Sequence, residues 1–167
     1  WTYRGALSRP PAGGRAYSNG YPKFVGNGVD RIDFLITQAH PRDFNNGVYH
    51  GYIQGGRTYD AAGRVVDPDT FALDAPQPEA FTPLFEPAEV AAGTYHHGWT
   101  VEIVRDGAGG LHALYTTRVG MESSPVQVTR PAPGDNDHRL FHARLDGDRW
   151  ASTELARMGP GLYDTEE

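Results

Sequence analysis

The chain has 167 residues, a formal charge of −6, no cysteine, 21 glycines, 13 prolines and 11% aromatic residues. Zero cysteine excludes disulfide and thiolate chemistry, scattered Lys and Arg argue against a nucleic-acid or anionic-membrane partner, and no apolar run approaches the ~20 residues of a membrane span. Abundant Gly, Pro and aromatics, with Glu86–Ala92 as the one short helix-like run, point to a single all-β domain.

In chain order, Trp1–Leu7 is expected to be a strand, ended by the turn-rich SRPPAGG, and Arg15–Val25 a weak strand region broken by Asn19-Gly20 and Pro22. Asn27-Gly28 turns the chain into a strand over Arg31–Thr37. The loop HPRDFNN from His40 leads to a strand over Gly47–Gln54, Gly55-Gly56 turns again, and Arg57–Val66 forms a pair of short β segments. The proline-rich, acidic stretch Asp67–Pro87 is expected to be an extended surface loop. Strands follow over Tyr95–Val104, Leu111–Thr117, His138–Leu145 and Trp150–Leu155, with a polar loop at Glu122–Asp137.

An internal repeat decides the expected architecture. NGVDRIDFLIT from Asn27 matches DGAGGLHALYT from Asp106 at an offset of 79 (Leu35 to Leu114), and YHGYIQG from Tyr49 matches FHARLDG from Phe141 at 92 (His50 to His142). Four short strands per repeat are the unit of a β-propeller blade. The expected layout is a blade edge at 1–7, whole blades at 15–66 and 95–155, a loop at 67–94 and the start of another blade at 156–167. Two whole blades are too few to close a ring. The chain is thus expected to be part of a propeller of about seven blades, completed by the remainder of the ring or by self-association.

HPRDFNNGVYHGYIQGGRTYDAAG from His40 and GPGLYDTEE from Gly159 resemble a bacterial and fungal family of BNR-repeat-like propeller proteins, some of which are lyases of ulvan and of rhamnose–glucuronate chains. The Asp-box of true sialidases is missing, which disfavours sialidase activity. The resemblance implies β-elimination on a uronate-bearing glycan, which needs a base for the proton α to the carboxylate, a clamp for that carboxylate and an acid for the leaving oxygen. It implies His50 as base, Tyr95 as its tyrosine partner, and Arg118 with His40 or Arg42 as the clamp. Tyr52, Asn46, His96 and Trp99 complete the expected substrate-binding set, with Trp99, Tyr49, Tyr52 and Tyr95 suited to stacking on sugars.

Two alternatives stand beside the lyase: a glycoside hydrolase, with Asp43 and Glu102 as candidate carboxylates, and a non-catalytic sugar-binding propeller. Alternation places His96 and His97 on opposite strand faces, so no zinc site is expected. A structural calcium stays open, since Asp30, Asp33, Asp67 and Asp69 supply oxygen ligands in turns although no D-x-D-x-D-G loop exists. The partner implied is an acidic polysaccharide, and such a substrate places the protein outside the cell or in the periplasm.

Overall fold

The computed structural model describes residues 5–10, 20–40, 44–91, 94–121 and 137–159, with backbone alone at 89–91, 94–96, 119–121 and 158–159. The described chain is all-β and antiparallel. Sheet A holds β1 (Lys23–Gly26), β2 (Arg31–Ile36), β3 (Val48–Gln54), β4 (Arg57–Tyr59) and β5 (Val65–Asp67) in sequence order, with β6 (Thr82–Phe85) also paired to β3. Sheet B is a meander of β7 (Glu89–Ala91), β8 (Thr94–Arg105), β9 (Leu111–Met121), β10 (His138–Asp146) and β11 (Arg149–Gly159).

Three expectations need correction. The run Glu86–Ala92 is not helical over its described residues 86–91: its centre is β7, paired to the start of β8, because a seven-residue run interrupted by Pro87 is too short to nucleate a helix. Asp67–Pro87 is not wholly loop, since β6 fills the part of the β3 edge that β4 leaves free. β4 pairs Tyr52–Gln54 and β6 pairs Val48–His50. Trp1–Arg4 lie outside the described residues, and Gly5–Leu7 form no strand.

Turn chemistry sets the registers. Asn27 Oδ1 accepts the backbone N–H groups of Val29, Asp30 and Arg31 at 2.9–3.0 Å, closing the β1–β2 hairpin. Gly55 and Gly56, at φ +59° and +76°, form the left-handed pair that a tight β3–β4 turn requires.

The register of β2 on β3 fixes two faces of sheet A. Asp33, Leu35, Val48, His50 and Tyr52 face sheet B, where Leu35, Val48 and Leu84 pack with Ile103, Leu111, Ala113, Tyr115 and Ala143. Phe34, Ile36, Tyr49 and Phe81 build a second core on the opposite face, sealed by Leu7, Ile53 and Val66. Sheet A is therefore buried on both sides. Gly51 makes this possible, because a Cβ there would lie 2.6 Å from the Phe81 ring and 2.7 Å from that of Phe34.

The internal repeat is visible in the pairing. Leu35 faces His50 across β2 and β3, and their repeat counterparts Leu114 and His142 face each other across β9 and β10. The Asp33–His50 hydrogen bond at 3.1 Å has its counterpart in His112–His142 at 2.9 Å. The sheets stack in the same order, β1 against β8 and β6 against β11, and neither closes on itself.

Candidate functional site

Chain direction gathers the start of β1, the β2–β3 loop, the first half of β8, the end of β9 and the start of β10 at one end of the molecule. The β2–β3 loop is held there by its own amides. Asn46 Oδ1 accepts the Ala39 N–H at 2.9 Å, its Nδ2 donates to the Ala39 carbonyl at 2.6 Å, and the Gly47 N–H donates to Gln38 Oε1 at 2.6 Å. Gly98 N–H then donates to the Asn46 carbonyl at 2.7 Å, seating the loop on the open edge of β8. Gly98 must lack a side chain there, since a Cβ would meet Phe85 at 2.7 Å and Val48 at 2.9 Å.

This docking brings His40 against Trp99 and Tyr21. The three rings lie 5.4–5.5 Å apart in pairs, two pairs edge-on and one tilted. Tyr21 is 39% and Trp99 36% exposed, so the trio presents a partly open aromatic surface. On the same face as Trp99, one ladder step further, His97, Arg118 and His138 stand directly opposite one another on β8, β9 and β10. His97 is buried, and its Nδ1–H donates to the Phe44 carbonyl at 3.1 Å. Burial, aided by the neighbouring Arg118 charge, lowers the His138 pKa and favours its neutral form. The end thus combines stacking rings, imidazoles and a guanidinium.

His50 lies elsewhere. Its side chain is fully buried between the sheets, its Nε2 is 3.1 Å from Asp33 Oδ1, and its ring meets Trp150 edge-to-face at 5.2 Å. Asp33 also binds Arg31, through Nε at 3.1 Å to each oxygen and NH2 at 2.6 Å, and Arg105 reaching across from sheet B. Burial alone would raise the Asp33 pKa, but the hydrogen bonds from His50 and Arg31 and their charges bring it down to about 2. Burial lowers the His50 pKa against the pull of Asp33. The physical cause is plain: a second proton would create a buried N–H at Nδ1, which has no partner. This neutral, enclosed imidazole ties the two sheets together and has no path to a polymer.

The other expected residues divide in the same way. Tyr52 is buried, stacked on Tyr59 at 4.9 Å with the Arg31 guanidinium 3.6 Å from its ring centre. Asn46 is fully buried and its amide holds the loop, not the outside. Tyr95 and His96 pair in register with Gly120 and Val119 at the loop end, with only their backbones described. Arg42 and Asp43 lie outside the described residues. Glu102 is exposed and accepts its neighbour's N–H from Ile103.

Among the described residues no group of three or more His, Cys, Asp or Glu is arranged around a metal position. The four aspartates considered for calcium are dispersed: Asp33 is engaged by arginines, Asp30 by Asn27 and Gln54, and only Asp67 and Asp69 are neighbours. Sequence reasoning missed Tyr21 and His138 altogether. Their signal is positional: each begins or precedes a strand whose start lies at the loop end. Searches against protein-family models, curated proteins and solved structures found no match. No helix among the described residues is long and apolar enough to cross a membrane.

Proposed function

We propose that this chain is part of a β-propeller related to the BNR-repeat-like proteins and that its loop end binds an acidic, uronate-bearing polysaccharide. The blade reading is supported by two consecutive antiparallel units that share register and stack inner strand on inner strand. One observation carries the binding reading: the partly open Tyr21–His40–Trp99 trio is continuous with the face that holds Arg118. Aromatic rings give a flat, weakly hydrated surface for a sugar face, and a guanidinium pairs with a uronate carboxylate by charge-assisted hydrogen bonds.

Elimination is the second reading, favoured by the imidazole of His40 within that trio. A base at His40 and a carboxylate clamp at Arg118 would meet two of the needs of β-elimination on one face, and the base is drawn from the loop end and not from His50. Such a substrate lies outside the cytoplasm, which is where the protein would act.

Calorimetry with oligogalacturonate and with a neutral oligosaccharide of equal length tests the binding reading. Selective, salt-weakened binding of the uronate is expected, whereas equal or no binding of the two would dismiss it. Rising ultraviolet absorbance from unsaturated products, lost in His40→Ala, would add the lyase activity.

A further inference from the structure

Buried charges are paired with counter-charges or coordinate metals. Asp33 and Asp60, both fully buried, obey this rule by pairing with arginines. Asp67 does not. It is 6% exposed, and among the described residues it makes no ion pair and its buried Oδ2 has no hydrogen-bond partner. Two other buried oxygens in the same short stretch share that condition, Thr58 Oγ1 and Thr70 Oγ1.

Local structure brings the three residues together. Thr58 and Asp67 are directly opposite across β4 and β5, which puts their side chains on one face of the sheet. The Asp69 N–H donates to Asp67 Oδ1 at 2.9 Å, fixing the carboxylate and leaving Oδ2 free. The Thr70 N–H donates to the Gly56 carbonyl at 2.9 Å, folding the turn after β5 back to a point two residues from Thr58. The N-terminal segment passes close over this turn: a Cβ on Gly5 would lie 2.3 Å from the Thr70 carbonyl oxygen and 2.7 Å from the Phe71 Cα. Leu7 packs into the adjoining core.

Hydroxyls donate and a carboxylate accepts, so three such neighbouring groups would pair directly if they came within hydrogen-bond reach. They do not. Asp67 Oδ2, Thr58 Oγ1 and Thr70 Oγ1 are each buried with no hydrogen-bond partner among the described residues, so none of the three pairs with another. An all-oxygen donor set suits a hard cation and not zinc or copper.

We propose that Asp67 Oδ2, Thr58 Oγ1 and Thr70 Oγ1 hold a calcium-class cation, with water and backbone oxygens completing its shell. The ion would clamp the β4–β5 hairpin to the following turn and to the segment above it. This is independent of glycan binding and rests on none of the loop-end residues.

The test is a calcium titration of the chelator-treated chain by calorimetry, with magnesium as control, alongside terbium luminescence sensitised by Tyr59, next to Thr58. One calcium per chain is expected, with a higher Tm in calcium and affinity at least about tenfold weaker in Asp67→Asn and in Thr58→Val. No heat of binding, no terbium signal and no Tm change at millimolar calcium would overturn the proposal. If Asp67→Asn fails to fold, the wild-type titration still decides.

Discussion

Replacing Asp33 by Asn removes one negative charge from the interior while keeping the side chain's shape. The wild-type carboxylate is fully buried and serves Arg31, His50 and Arg105, which come from three strands and both sheets. Removing one partner of a buried ion pair costs about 3–5 kcal/mol, because the remaining charges are left uncompensated. The Arg31 and Arg105 side chains are 27% and 19% exposed, so both can turn partly to water. His50 cannot. The expected loss is therefore at the lower end, about 3 kcal/mol, measured by urea denaturation with Trp150 fluorescence as one probe and far-ultraviolet dichroism as another. The midpoint should fall with the slope unchanged. A companion variant, Asp33→Leu with His50→Leu and Arg105→Met, removes the cluster except for Arg31, whose side chain is 27% exposed and can turn to water, and is expected to regain most of that stability. A loss below about 1 kcal/mol in Asp33→Asn would refute the claim that this cluster joins the sheets.

Stability should also depend on acid in two steps. The depressed His50 pKa means that the unfolded state binds the proton first, so stability falls as pH drops below the ordinary histidine value of 6.5. Asp33 adds a second loss as pH falls from 3.8 towards about 2. His50→Gln should flatten the first step in a series of melts, and an unchanged first step would assign it to another group. Gly51→Ala places a methyl group against Phe81 and Phe34 and should destabilise by about 1–3 kcal/mol through overpacking, a cost read from the urea midpoint. Trp99→Ala, at a position 36% exposed, should weaken uronate binding by roughly tenfold with a Tm change of only a few degrees.

The repeat made much of the fold legible. Strands β2, β3, β9 and β10 fall where alternation and the matched segments place them, and even the Leu35–His50 and Leu114–His142 pairings follow the offsets. Strands β6 and β7 were hidden because Pro83 and Pro87 punctuate them and each is only three or four residues long. They exist through pairing with an edge already in place, a tertiary cause that local pattern does not carry.

The site was legible as residue types and less so as placement. His40, Trp99 and Arg118 were named from sequence, but only the seating of the β2–β3 loop on the β8 edge explains why His40 meets Trp99. His50 and Tyr52 were correctly placed on one strand face. Alternation cannot say whether that face is open, and in a sheet with cores on both sides it is closed. A carboxylate such as Asp33, inside a run of apolar neighbours, was the available hint that the face carries buried charge.

The most direct test of the central claim is the affinity of this chain for a uronate oligosaccharide, measured at low and at high salt and set against Trp99→Ala and Arg118→Gln. The account predicts binding that salt weakens in the wild type, loss of affinity in both variants, and a smaller salt dependence in Arg118→Gln. Binding that survives both substitutions unchanged, or that appears equally with a neutral oligosaccharide, would contradict it.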